Sequence, residues 1–168
     1  MVINFLKYSI IFVVSVLLQV LVFNNVLILR MISPFFYILF IILLPFYTPR
    51  ALLLFLSFVL GLTIDIFTNT PGVHASACLL IGFFRPVVLQ LISSRETLES
   101  VSAPRVENMG LNWFAGYVTF LVVVHHLFLF FIEAFTFDSF YITLIRVILS
   151  SALSVVLIVL SQFIIFRK

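Results

Sequence analysis

Charge is what this chain has least of. Only 9% of its residues are Asp, Glu, Lys or Arg, against about 25% in an ordinary soluble domain. No polar stretch is long enough to build a core of its own, so a soluble domain is excluded. The two lysines, Lys7 and Lys168, lie at the ends of the sequence, which leaves no lysine for catalysis inside a membrane. The single cysteine, Cys78, sits within an apolar run and implies neither a disulfide nor a cysteine-rich metal site. Gly-x-Ser-x-Gly, His-Glu-x-x-His and phosphate-binding glycine loops are all missing, so the common hydrolase, zinc-protease and nucleotide signatures give no support. The net charge of +3 is carried by Lys and Arg scattered at segment ends; it reports topology, not nucleic-acid binding.

What is present is hydrocarbon. The chain is 64% hydrophobic, with 22 phenylalanines and a mean hydropathy of +1.36, and its apolar runs approach the ~20 residues that span a bilayer. It reads as an integral membrane protein. In lipid every backbone N–H and C=O must be satisfied internally, which leaves helices or a closed barrel. Residues 118–124 and 155–160 do not alternate between polar and apolar, whereas barrel strands do. The expectation is therefore all-α and polytopic, a single domain of six transmembrane helices at about 8–23, 34–47, 51–67, 73–92, 113–132 and 141–166.

The second segment is short, so it is expected to be tucked against its neighbours or extended by the apolar stretch 26–29 in the interface. The fourth is interrupted at Arg85-Pro86, where the missing proline donor predicts a kink. Lys7 precedes an apolar run as in a signal peptide, but residues 20–25 contain no small-x-small cleavage site; a retained first helix is expected. Ser93 and Glu96 have capping-box spacing and suggest a short helix ahead of Pro104.

The Lys and Arg bias of short loops sets orientation. With the N-terminus inside, Lys7, Arg50, Arg95, Arg105, Arg167 and Lys168 fall on the cytoplasmic side. Arg30 and Arg146 fall outside with Glu133 and Asp138, so both termini are expected to be cytoplasmic. Tyr8, Tyr47, Trp113 and Tyr141 lie near segment ends, as interfacial aromatics do.

The stretch 61–85 carries the chemistry. Asp65 stands where nearly everything else is apolar, and an intramembrane carboxylate costs about 3 kcal/mol at the bilayer centre, which marks it as a functional candidate. It is read either as an interfacial residue shaping the turn or as a buried contact fixing helices three, four and six. Arg85 is about 18 Å along helix four by helical rise, too deep to meet Asp65. Arg146 matches the depth of Asp65 better, so Asp65–Arg146 is the preferred ion pair, with Glu133–Arg146 competing. Arg85 then snorkels towards the cytoplasm or faces a protein partner. Gly72 follows Pro71 in a turn that favours positive φ, while Gly61 and Gly82 allow close helix approach. His125 and His126 point about 100° apart and read as satisfied or channel-lining groups. His74 and Cys78 share a face, but two ligands do not make a metal site. No metal and no cofactor is expected.

The pattern Gly61-Leu62-x-x-Asp65, Gly72-x-x-Ala75 and Gly82-Phe83-Phe84-Arg85 resembles the rod shape-determining protein MreD family. The motif covers about 25 residues; the rest of the chain agrees in length and hydropathy. The resemblance implies a non-enzymatic scaffold in the bacterial inner membrane that binds the bitopic protein MreC. It would work with MreB filaments, RodA glycosyltransferase and a class B penicillin-binding transpeptidase in lateral peptidoglycan synthesis. It also implies a compact bundle like that of the substrate-binding components of energy-coupling-factor vitamin transporters, which are the alternative function. Those components usually carry Ala-x-x-x-Ala on the first helix; here Ser9 and Ser15 stand among bulky residues, with no alanine. A membrane acyltransferase lacks a visible nucleophile–base pair.

Overall fold

The computed structural model describes residues 2–25, 32–135 and 140–165. Arg30, Asp138, Arg167, Lys168 and the stretch 26–29 lie outside the described residues. The described chain is all-helical: α1 (Val2–Leu21, continued by a 3-10 turn at Phe23–Asn25), α2 (Ile38–Leu43), α3 (Arg50–Thr68), α4 (Val73–Ile92), α5 (Arg95–Ser100), α6 (Val106–Met109), α7 (Leu111–Ala134) and α8 (Phe140–Ile165).

Five helices, not six, are long and apolar enough to cross a membrane among the described residues. The expected second span, 34–47, reduces to the six residues of α2, about 9 Å of helix against a hydrocarbon core of about 30 Å. Proline sets these limits. A residue before proline is pushed out of the α region, and Leu44, before Pro45, has φ −55° and ψ 146°. Pro34 lies in the non-helical stretch ahead of α2.

This segment is nevertheless the heart of the molecule. Residues 34–45 are buried without a break, and α2 packs against α1, α3, α4 and α7. Around it α3 packs on α4, α4 on α7 and α7 on α8, while α1 touches α2 and α3. Pro34 lies by Gln19 near the end of α1, whereas the Phe46 amide donates to the Ser102 carbonyl at the opposite end of the bundle. The segment thus carries the chain from one end of the bundle to the other, packed among α1, α3, α4 and α7. Irregular backbone at membrane depth is tolerated only where protein or a water-filled cavity surrounds it.

Two smaller expectations also shift. α4 is one continuous helix through Pro86, so the expected interruption is absent. The short helix after it does form, but Ser94, not Ser93, caps it, its side chain accepting from the Thr97 amide at 3.2 Å.

Candidate functional site

Asp65 lies in the last turn of α3 and is 4% exposed. Its Oδ1 accepts from the Thr70 hydroxyl at 2.7 Å and the His74 amide at 2.9 Å, and its Oδ2 from the Ala75 amide at 2.9 Å. His74 and Ala75 are the second and third residues of α4, so their N–H groups have no intrahelical partner. Gly72, at the N-cap position, has no side chain to serve them. Asp65 therefore caps α4 from the preceding helix, and an acidic group there is also favoured by the helix dipole.

The rest of the motif makes this reach possible. A Cβ on Gly61 would lie 2.4 Å from both Ala75 Cα and the His74 carbonyl oxygen, so α3 and α4 meet backbone to backbone here. Further along the same pair, a Cβ on Gly82 would lie 2.5 Å from Ser57 Oγ. Gly72 has φ +82° with open space around it. Gly61→Ala is expected to cost about 1–3 kcal/mol, because backbone cannot yield as a side chain would. Gly72→Ala is expected to cost about 1 kcal/mol through φ alone. Thermal unfolding of the two variants should rank them in that order.

Arg146 does not meet Asp65. It pairs with Glu133 at 3.0 Å and lies 4.2 Å over the Phe130 ring, at the end of the bundle that also holds the α3–α4 turn. The competing pair is thus the one that forms, because the Asp65 oxygens already face backbone donors. Both partners are a third or more exposed, so Glu133→Gln is expected to change stability by less than about 1 kcal/mol.

Arg85 neither snorkels nor faces outward; it is 1% exposed. Its Nε donates to the Tyr117 hydroxyl at 2.9 Å, and its Nη2 donates to the Leu44 carbonyl. The Tyr117 hydroxyl donates to the Ile42 carbonyl at 3.2 Å. These are orphan carbonyls at the C-terminal end of α2, where a cation is favoured.

The other end of the buried segment is held by residues the sequence did not single out. Gln19 Nε2 donates to the Pro34 carbonyl at 3.1 Å and to Asn24 Oδ1 at 2.9 Å, while its Oε1 accepts from the Phe36 amide at 2.7 Å. The Ser33 amide donates to Ser150 Oγ at 3.1 Å and the Phe35 amide to Ser154 Oγ at 2.9 Å. Pro34 has no amide to satisfy. The irregular backbone is clamped by side chains of α1 and α8.

Between the two clamps lies a polar core. The Tyr37 hydroxyl is 2.7 Å from His74 Nδ1 and 2.9 Å from His125 Nε2. One hydroxyl proton can serve only one imidazole, so the other must donate N–H to the oxygen. The chain His74–Tyr37–His125 is thus compatible with either polarity, set by the histidine tautomers. His125 Nδ1 has no hydrogen-bond partner. His126 turns away, its Nδ1 donating to the Val122 carbonyl at 2.8 Å and its Nε2 accepting from Ser154 at 3.1 Å. The Phe35 ring packs among all three histidines.

His74 also borders a cavity of about 360 Å³, with Gln19, Asn24, Thr70, Glu133 and Arg146 among its walls. No group of three or more His, Cys, Asp or Glu among the described residues is placed to hold a metal ion. No family model, no curated protein and no solved structure matches this chain.

Proposed function

We propose that this protein is a non-enzymatic scaffold of the bacterial elongation machinery, set in the cytoplasmic membrane with both termini on the cytoplasmic side. Its direct partner would be an MreC-like bitopic membrane protein. MreB filaments, RodA glycosyltransferase and a class B penicillin-binding transpeptidase would complete the assembly that organises lateral peptidoglycan synthesis and rod shape. One observation supports this reading above the others. Gly61, Asp65, Gly72, Ala75, Gly82 and Arg85, on which the MreD resemblance rests, bind protein backbone, adopt a special backbone angle or permit close packing. A motif spent on architecture suits a protein whose product is a shaped surface. In this orientation Lys7, Arg50, Arg95 and Arg105 face the cytoplasm, as the distribution of positive charge in short loops favours.

The cavity beside His74 favours a second reading, the substrate-binding component of an energy-coupling-factor vitamin transporter. Its volume lies within the range of about 300–1,000 Å³ used by ligand sites. Detergent co-purification of the tagged chain from its native cells separates the two. Recovery of a bitopic coiled-coil protein with wall-synthesis enzymes is the expected result. Recovery of a paired ATPase module with a vitamin-sized ligand would replace the scaffold by the transporter reading.

A further inference from the structure

Two walls of the cavity beside His74 carry hydrogen-bonding groups left over from the fold, and the bonds already made fix their sense. Asn24 is the first. The Pro34 carbonyl and the Phe36 amide hold Gln19 in one orientation, since the carbonyl can only accept and the amide can only donate. It is therefore Gln19 Nε2 that meets Asn24, and Asn24 must answer with Oδ1, at 2.9 Å. The Asn24 NH2 group is left without a partner among the described residues, and an amide nitrogen can only donate.

His74 is the second. It is 5% exposed and forms part of the same wall. Its Nδ1 lies 2.7 Å from the Tyr37 hydroxyl, and its Nε2 has no partner among the described residues, so Nε2 is the ring atom left for the cavity. His125 decides which way the chain His74–Tyr37–His125 runs. Its Nδ1 is buried and unpaired, and a proton there would be an orphaned N–H, which is rarer in folded proteins than an unpaired acceptor. The proton belongs instead on His125 Nε2, which donates to the Tyr37 oxygen at 2.9 Å. Tyr37 then donates to His74 Nδ1, and the ring proton of His74 stands on Nε2.

Both leftover groups are thus donors. Charge in the same wall is balanced, because Glu133 and Arg146 pair at 3.0 Å, so no net charge asks for an ion. Phe35, Val73 and Leu129 supply apolar surface beside the donors. We propose that the cavity binds one small uncharged molecule with an apolar ring and carbonyl acceptors, of the class of aromatic amides and lactams, its acceptors meeting His74 Nε2 and Asn24 Nδ2. The cavity's volume of about 360 Å³ suits one such molecule. This gives a ligand class to the cavity on which the transporter reading rests, yet binding there requires no ATPase partner.

Benzamide, benzoate and benzylamine place an uncharged carbonyl, an anion or a cation on one ring. Each is titrated by ligand-observed NMR into the full chain in lipid nanodiscs, with empty nanodiscs as the blank. Saturable binding of one benzamide per chain is expected, with the two ions at least about fivefold weaker, the worth of one hydrogen bond. The 15N ring shifts of His74 should show a protonated Nε2 and should move when benzamide is added. Asn24→Asp keeps an oxygen for Gln19 but removes the donor, and His74→Phe keeps a ring but removes Nε2. Each should weaken benzamide about fivefold, and Val73→Phe, which fills the cavity, should abolish its binding. The order of the three probes and the His74 shifts need no variant, so the test stands if a variant fails to fold. Benzamide binding no better than the blank, an ion bound as tightly, or a bare His74 Nε2 would overturn the proposal. So would benzamide affinity indifferent to either donor variant or to Val73→Phe in folded protein. An ATPase module recovered from native cells without benzamide binding would keep the transporter reading and remove this one; benzamide binding without such a module would do the opposite.

Discussion

Asp65→Ala is expected to remove about 3–5 kcal/mol of stability, a large part of the 5–15 kcal/mol that holds a typical protein folded. The loss has two sources. Three hydrogen bonds go, and the His74 and Ala75 amides are left buried without partners, at about 1–3 kcal/mol each. The first of these contains the cap of α4, which on its own is worth about 1 kcal/mol. Asp65→Asn should fall between: one oxygen still accepts, but the new amide group confronts an N–H donor. Unfolding in detergent, followed by loss of helical signal, measures both. Arg146→Ala should leave the α3–α4 hairpin intact, and exchanging the charges of Asp65 and Arg146 should rescue nothing. Rescue by that exchange would mean that an ion pair, not a helix cap, governs the site.

Gln19→Leu is the second variant expected to cost several kcal/mol. Gln19 is 1% exposed and satisfies a carbonyl and an amide two residues apart. Its orientation is not arbitrary: the Pro34 carbonyl can only accept and the Phe36 N–H can only donate, so a flipped amide would lose both bonds. Leucine fills similar space and leaves both backbone groups without their side-chain partner. The expected cost is about 3 kcal/mol. The damage should centre on the start of the buried segment, with loosening of α1, which among the described residues packs chiefly on α2 and α3. Separate measurement of Gln19→Leu and Asp65→Ala should give effects that add, since the two residues share no partner.

Length and hydropathy made five helices long and apolar enough to cross a membrane legible, and the bounds of α3 and α4 fall within a residue of the expected ones. The glycines were legible too, because a residue without Cβ has few uses in an apolar helix. The expected second span misled because hydropathy measures burial in anything apolar, and a segment buried in protein scores like one buried in lipid. Pro45, within the expected 34–47 helix, was the signal that could have corrected it. Asp65 was found but mispaired: charge invites a search for opposite charge, whereas its partners are backbone amides, which no sequence displays. Gln19, Tyr37, Tyr117, Ser150 and Ser154 were missed for a related reason. Each meets its partner across the bundle, from 15 to 119 residues away in sequence, and amides and hydroxyls in apolar helices carry no periodic signature.

The central claim is that the polar groups of this membrane bundle exist to hold an irregular, buried crossing in place. Amide hydrogen exchange in lipid nanodiscs, comparing the intact chain with Gln19→Leu, tests it most directly. In the intact chain the amides of Ser33, Phe35 and Phe36 should be protected as strongly as those in the middle of α3 and α4. In Gln19→Leu that protection should collapse at Phe36 and its neighbours while the α3–α4 hairpin keeps its own. Rapid exchange at these amides in the intact chain, or protection there that ignores the loss of Gln19, would contradict the account.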